Sequence, residues 1–470
     1  MLQDGFRSSH AVSTEVSDPA QIGSIFDAIS YQKGASIIQM LRGLSGKDAF
    51  RTALQKYLKK FEFSNAKGED LWRIIQNHVT LSTSISVMDV AEAWTTQIGY
   101  PIIQVELIDD GSTMLIKDQV RFLFLEEERY DNHTEQWPIP VQYQTNKQSQ
   151  LKLTWLEPDA KDGNKNLYKE FTRQLDTNHT EIGTVDRGAI LNDAFSFMRS
   201  GHLSADIVMD LIQYVEDGKE SDRIPWVRYE RSLMLKIYEK VGWSQPESHV
   251  NRLLQTDLIA HSCRLQLSDC SKQAQHRFHQ WLKDKSSVFV DIQPFVIEEG
   301  IRHGTATDWE RVYREYLSTT NPAQRFLLLI ALAATEDVTL INRFMSMCLD
   351  PSIIRPNVLP RALGVLMQNK VASQHAWRFF RMNYEQIEQL YGSATTLLGA
   401  TIKAIIENFN TEFDFKQVQE FFDGKDLGAS RSRVDQAIEM IKLNIQWRKL
   451  NERPLQQWLK KWAIKRNFDS

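Results

Sequence analysis

The chain has 470 residues, 56 basic against 60 acidic for a formal net charge of −4, with 42% hydrophobic and 25% charged residues. That is an ordinary globular composition, with enough chain for a large core or for several domains. The near balance of charge, with no long block of one sign, excludes general nucleic-acid binding through a concentrated basic surface.

The opening MLQDGFRSSH has no basic segment followed by an apolar run, so it does not read as a signal peptide. As literally written, the chain starts in the cytoplasm. From Ile25, IFDAISYQKGASIIQML has helical apolar spacing at Ile25, Phe26, Ile29, Ile37, Ile38 and Leu41, interrupted by Tyr31, Lys33 and Gly34. Glycine inside a helix costs up to about 1 kcal/mol relative to alanine. Either the backbone is closely approached at Gly34, or Tyr31 is aimed at something. On spacing alone, Tyr31 reads as a half-buried core tyrosine.

Helical patterning continues to residue 98. GKDAFRTALQKYLKKF sets Phe50, Ala53, Leu54, Tyr57 and Leu58 on one face, and the next helix carries Leu71, Trp72, Ile75 and Val79. SVMDVAEAWTTQIG predicts a further helix, stopped at Gly99. The period then changes. Two β-rich runs flank DDGS, a hairpin signal, and WPIPVQYQT and LKLTWLEP continue the alternation, so residues 99–156 read as a small β domain, a short sandwich. PDAKDGNKN marks a boundary. From about 165 to the end nearly everything is amphipathic helix with short polar connections, the layout of a curved solenoid with a concave face. The longest apolar run, FLLLIALAA from Phe326, falls short of the roughly 20 residues a bilayer requires.

Motifs for chemistry are sparse. There is no His-Glu-x-x-His, phosphate-binding glycine loop or Gly-x-Ser-x-Gly elbow. His276 and His279 share a helical face, but no carboxylate lies between them and no cysteine has zinc spacing, so a solvated face is the better reading. The basic amphipathic end, with Trp458, Leu459 and Trp462, suits a helix that caps its own solenoid; a membrane or partner helix is the alternative. Asn132 and Asn178 head Asn-x-Thr sequons. Cys263 and Cys270 lie close in sequence, and Cys348 stands alone as a buried thiol.

SSHAVSTEVSDPAQIGSIFDAISYQKGASIIQML resembles the segment that follows the zinc site in M1 (gluzincin) zinc aminopeptidases. FRTALQKYLKKFEFSNAKGEDLW, AWTTQIGYPIIQV, QVRFLF and WPIPVQY continue that likeness in order. DRGAILNDAF, IPWVRYERSL, the Cys263/Cys270 spacing, GIRHGTATDW and NIQWRKLNERPLQQWL resemble the family's helical carboxy-terminal domain. The flavour is that of the endoplasmic-reticulum aminopeptidase, aminopeptidase N and cystinyl aminopeptidase branch. The resemblance implies a mainly α fold with a small β domain. Residues 1–98 would be the second half of a thermolysin-like catalytic domain, 99–160 a truncated β-sandwich, and 165–470 a HEAT/armadillo-like helical domain.

It also implies roles. Tyr31 matches the family's catalytic tyrosine, whose O–H stabilises the oxyanion formed when zinc-bound water attacks a peptide carbonyl. Cys263 and Cys270 match a disulfide, suited to an oxidising compartment. Arg355 matches an arginine that faces the peptide-enclosing bowl. A second family disulfide has lost both partners, at Glu298 and Ala334. The zinc motif, the Gly-x-Met-Glu-Asn motif that grips the free amine, and a Gly-Tyr-Tyr-Arg-Val-x-Tyr stretch after the β domain are not in this sequence. The resemblance therefore implies peptides as partners and zinc as the complete enzyme's cofactor, with no activity from this chain alone. The alternatives are a peptide-binding or regulatory short form, pairing with a full-length relative, and a plain helical scaffold. Family members are membrane-bound, secretory or extracellular. Trp72 and Trp94 are expected to pack on helices beyond this chain.

Overall fold

A computed structural model of the chain describes residues 2–16, 22–23, 25–79, 81, 85–108, 113–125, 135–145, 148–156, 182–213, 234–235, 237–265, 267, 269–391 and 396–465. The chain divides into two compact units, 1–170 with 199–201, and 171–198 with 202–470. Both sequons, at Asn132 and Asn178, lie outside the described residues.

In the first unit a π-helical turn, Ile29–Lys33, runs into α1 (Gly34–Ser45), followed by α2 (Lys47–Lys60), α3 (Gly68–Gln76) and α4 (Val87–Thr96). Ser86 and Asp89 form a reciprocal capping box that starts α4. Ile37, Leu41, Phe50, Ala53, Ile75 and Val90 close a common core. Gly99, at φ +84°, makes the turn into the β region.

The β region is two separate antiparallel hairpins: β1 (Pro101–Ile108) with β2 (Thr113–Arg121), and β3 (Ile139–Thr145) with β4 (Gln148–Leu156). Ile108 pairs with Thr113 across the expected DDGS turn, whose own residues are not among those described. Ile103 of β1 and Val141 of β3 both pack against Trp137, Ile139 and Leu156, the apolar patch shared by the two hairpins among the described residues. Each hairpin leaves ladder edges unpaired among the described residues. Trp94 does not wait for an outside helix. Its Nε1 donates to Pro138 O at 3.0 Å and its ring lies 6.1 Å from that of Trp137. Trp72 is partly buried against the unit's own core. The uncovered apolar residues are others: Phe26, Ile38, Leu54, Leu58 and Phe63.

The remaining helices are α5 (Thr184–Ser200), α6 (Ala205–Leu211), α7 (His249–Arg264), α8 (Cys270–Lys283), α9 (Gln293–Arg302), α10 (Ala306–Ser318), α11 (Pro322–Leu332), α12 (Val338–Met347), α13 (Leu359–Gln368), α14 (Ala372–Met382), α15 (Tyr384–Tyr391), α16 (Leu397–Ile406), α17 (Glu412–Phe422) and α18 (Arg431–Lys465). Helices α9, α11, α13, α16 and α18 form a row in which each packs on the next, with α8, α10, α14 and α17 against it as a second layer. One continuous core runs through both layers, from Tyr238 to Ile445. Caps set the starts: Thr305 and Asp308 box α10, Asn321 caps α11 ahead of Pro322, and Asp337 caps α12. The Phe326 run is α11, a core helix, and no described helix is long and apolar enough to cross a membrane. The structure is thus mainly α with a small β part.

Trp458, Leu459 and Trp462 are buried, and Trp458 Nε1 donates to Asp210 Oδ1 of α6 at 2.7 Å. The terminal helix covers its own unit, as expected. Close approach is demanded at Gly300, where an added Cβ would stand 2.1 Å from Phe278 Cγ. We expect Gly300→Ala to cost about 1–3 kcal/mol. Gly364→Ala, whose methyl meets Ala404 Cβ at 3.5 Å, should be neutral or stabilising by up to ~1 kcal/mol. Urea midpoints followed by the helical signal separate the two.

Candidate functional site

Ile29, Ile37 and Leu41 are buried on one face, and Lys33 stands between them at the same four-residue spacing. A lysine on a buried face needs a counter-charge. Lys33 Nζ finds Asp4 Oδ2 at 3.0 Å, donates to Gly99 O at 2.7 Å, and reaches Gln97 O at 3.4 Å. Asp4 Oδ1 in turn accepts from Ser9 Oγ at 2.9 Å and Gly99 N at 3.1 Å. Burial lowers the Lys33 pKa, with Asp4 opposing it. Arg121, also buried, packs under Gly99, pairs with Glu135 at 3.2 Å and donates to Phe6 O at 3.3 Å. The segments around Gly99, Arg121 and Trp137 that carry the family likeness therefore meet at this cluster, with Gln119 bonded to both Trp137 N and Trp137 O.

The start of the turn is held separately. Asp27 Oδ1 accepts from the amides of Ile29 (2.9 Å) and Ser30 (3.2 Å), and Oδ2 lies 3.2 Å from His10 Nε2. The other ring nitrogen of His10 is 2.8 Å from Ala11 O. Both nitrogens face oxygens that only accept, so the imidazolium is the favoured form. Asp27 is the largest cause of a raised His10 pKa, and burial opposes it. Burial alone would push Asp27 upward, but His10 and the turn amides outweigh it and leave the carboxyl below its ordinary range.

Between these two anchors the π-turn carries Tyr31 off the buried stripe. It is not a half-buried core residue: it is 63% exposed, with Phe26 as a ring neighbour at 6.4 Å. One extra residue in a helical turn shifts the following side chains around the axis, and such turns are frequent at functional sites. Gly34 needs no close approach, since an added Cβ would meet Val12 Cγ1 at an ordinary 3.7 Å. The interruption in the sequence is thus explained by Lys33 and the turn. The phenol has no hydrogen-bond partner among the described residues, so its O–H can donate to an oxygen presented to it.

Other expected site residues fall elsewhere. Cys263, ending α7, and Cys270, opening α8, form a disulfide with Cα atoms 5.0 Å apart. Cys348 is buried and its thiol is pushed up by desolvation. Arg355 is exposed ahead of the 3-10 turn that leads into α13. His276 and His279 lie on an exposed face, with His279 3.8 Å from Asp308. Glu298 pairs with Arg302 at 2.8 Å, and Ala334 is buried. Among the described residues, no group of three or more His, Cys, Asp or Glu side chains could hold a metal ion. Sequence reasoning missed Asp4, His10 and Asp27. The only signal available was the position of Lys33 on an apolar face.

Two outcomes test this support. Asp4→Ala, which strands the buried Lys33 charge, should destabilise the first unit by about 3–5 kcal/mol, and Asp4→Asn with Lys33→Met by much less, read from urea unfolding. His10 contributes stability that is complete below its ordinary 6.5 and lost as pH rises through its higher folded value. Asp27 contributes above the ordinary carboxyl range, and that part is lost only as pH falls through its lowered folded value. The urea midpoint should therefore be lower at alkaline than at mildly acidic pH, and His10→Gln should flatten the difference.

Residues 1–94 match the Peptidase family M1 domain and residues 219–443 match the ERAP1-like C-terminal domain. Glutamyl aminopeptidase of Sus scrofa is 28% identical over 511 residues, covering 97% of this chain and 53% of that protein. Aminopeptidase A of Gloydius brevicauda is 28% identical over 516 residues, 98% of this chain and 53% of its own length. The thyrotropin-releasing hormone-degrading ectoenzyme of Homo sapiens is 25% identical over 527 residues, 98% of this chain and 49% of its own. The chain thus spans about half the length of the curated relatives it matches. With both family domains matched in order, the chain is similar to M1 peptidases along nearly its whole length and corresponds to the C-terminal part of these relatives.

Proposed function

We propose that this chain supplies the oxyanion-stabilising tyrosine and the peptide-enclosing helical unit of an M1-type aminopeptidase that removes N-terminal residues from peptides. The observation that carries the reading is Tyr31, an exposed phenol on a π-turn clamped at both ends by buried ion pairs. As a peptide carbonyl is attacked, charge develops on its oxygen. A preorganised O–H donor stabilises that charge without the reorganisation that water would need. Asp27 and Lys33 hold the turn so that the donor is in place before the charge appears.

Zinc is the family's metal, and its ligands and the amine-gripping residues are not part of this sequence. The uncovered side chains of Phe26, Leu54, Leu58 and Phe63 support a protein neighbour for the first unit. The 470-residue chain, with zinc added, should release no p-nitroaniline from glutamyl or alanyl p-nitroanilide, and turnover by it would overturn the reading. Within a protein that contains the zinc-bearing part, Tyr31→Phe should lower kcat by about 10²–10³. A loss below tenfold would leave Tyr31 without the proposed role.

A further inference from the structure

The helical unit carries a groove of about 460 Å³ between the end of α8 and the segment leading into α9, a volume suited to a small ligand. Its chemistry is one-sided. Arg277 enters from α8, and Gln273, Gln280 and His276 join it, while Trp243 and Phe289 supply apolar walls. Among the described residues that line it there is no Asp or Glu. Among the described residues no carboxylate lies at ion-pair distance from the Arg277 guanidinium; its Nη1 donates to Gln273 Oε1 at 2.6 Å.

The arginine is fixed rather than free. Its guanidinium carbon lies 4.5 Å from the centroid of the Trp243 ring. Trp243 Nε1 donates to Tyr238 Oη at 2.9 Å, and Tyr238 O–H donates to Asp269 Oδ1 at 2.9 Å. Burial is the main cause that pushes the Tyr238 phenol up to about 12, so this relay keeps its proton. Asp269 adjoins Cys270, which is tied to Cys263. Asp269 is therefore committed to Tyr238, and the wall behind Arg277 ends on a covalent anchor.

We propose that this groove binds an organic carboxylate bearing an apolar group, the two carboxylate oxygens on the Arg277 fork and the apolar group against Trp243 and Phe289. A planar guanidinium already stacked on an aromatic ring gives up little freedom on taking a carboxylate. Free small acids and the carboxyl ends of peptides share this chemistry. Tyr31 has no part in the site, so the inference stands apart from the proposed activity.

The test titrates the 470-residue chain, by calorimetry, with N-acetyl-L-phenylalanine, with N-acetyl-L-phenylalaninamide, and with an N-acetylated octapeptide ending in phenylalanine. The acid should bind, and the amide at least tenfold more weakly. Arg277→Gln should weaken the acid at least tenfold, with Arg277→Lys intermediate because it keeps the charge and loses the fork. Tighter binding of the octapeptide than of the single residue assigns the groove to peptide ends; equal binding assigns it to small acids. Acid and amide binding alike, an unaltered Arg277→Gln, or no acid binding at millimolar concentration overturns the proposal. Should Arg277→Gln fail to fold, the acid–amide comparison on the unaltered chain decides alone.

Discussion

A lysine on an apolar helix face is the constraint on which the first unit depends. Lys33 sits on the stripe of Ile29, Ile37 and Leu41, where an unpaired ammonium would cost several kcal/mol. Its solution draws Asp4 from the N-terminal segment and Gly99 O from the turn into β1 to one point. Two stretches distant in sequence are thereby registered to the helix that carries Tyr31. Such a pair adds little net stability compared with a packed apolar residue. Its effect is to fix which segments meet, and here the segments that meet are those that orient the phenol.

Much of the fold was legible because it follows local rules. Periodicity placed α1 to α4 and a change to period two placed the strands, while the Cys263–Cys270 disulfide, which joins the end of α7 to the start of α8, was expected through resemblance. The candidate site was legible only through its most visible member. Tyr31 was found by resemblance, but spacing put it in the core, because a π-turn changes the periodicity on which that assignment rests. Asp4 and His10 were unreadable for a different reason. With 60 acidic residues in the chain, no local pattern says which one answers a buried lysine.

The same limit explains the tryptophans. Trp94 looked unpartnered because its partners, Pro138 O and Trp137, arrive from a hairpin that follows long after it in sequence. Leu54 and Leu58 looked like core because they continue the face of Phe50 and Ala53, yet they remain exposed. A helix's apolar width reports how much of it is meant to be covered, and not by what. In α2 that width exceeds the cover provided by its own unit.

Both units expose large apolar side chains, Phe26, Leu58 and Phe63 in the first and Val250, Met382 and Phe413 in the second. The helical unit has one core continuous from Tyr238 to Ile445, and Trp458 and Trp462 of its terminal helix are buried, Trp458 bonded to Asp210 of α6. The first unit holds a preorganised donor on a surface that still exposes Phe26, Leu58 and Phe63. Preorganisation is useful only where charge develops in a site sheltered from water, since an exposed donor competes with solvent and its advantage shrinks. On the role proposed for Tyr31, a phenol supported at both ends of its turn and exposed at its ring calls for a neighbour that encloses it.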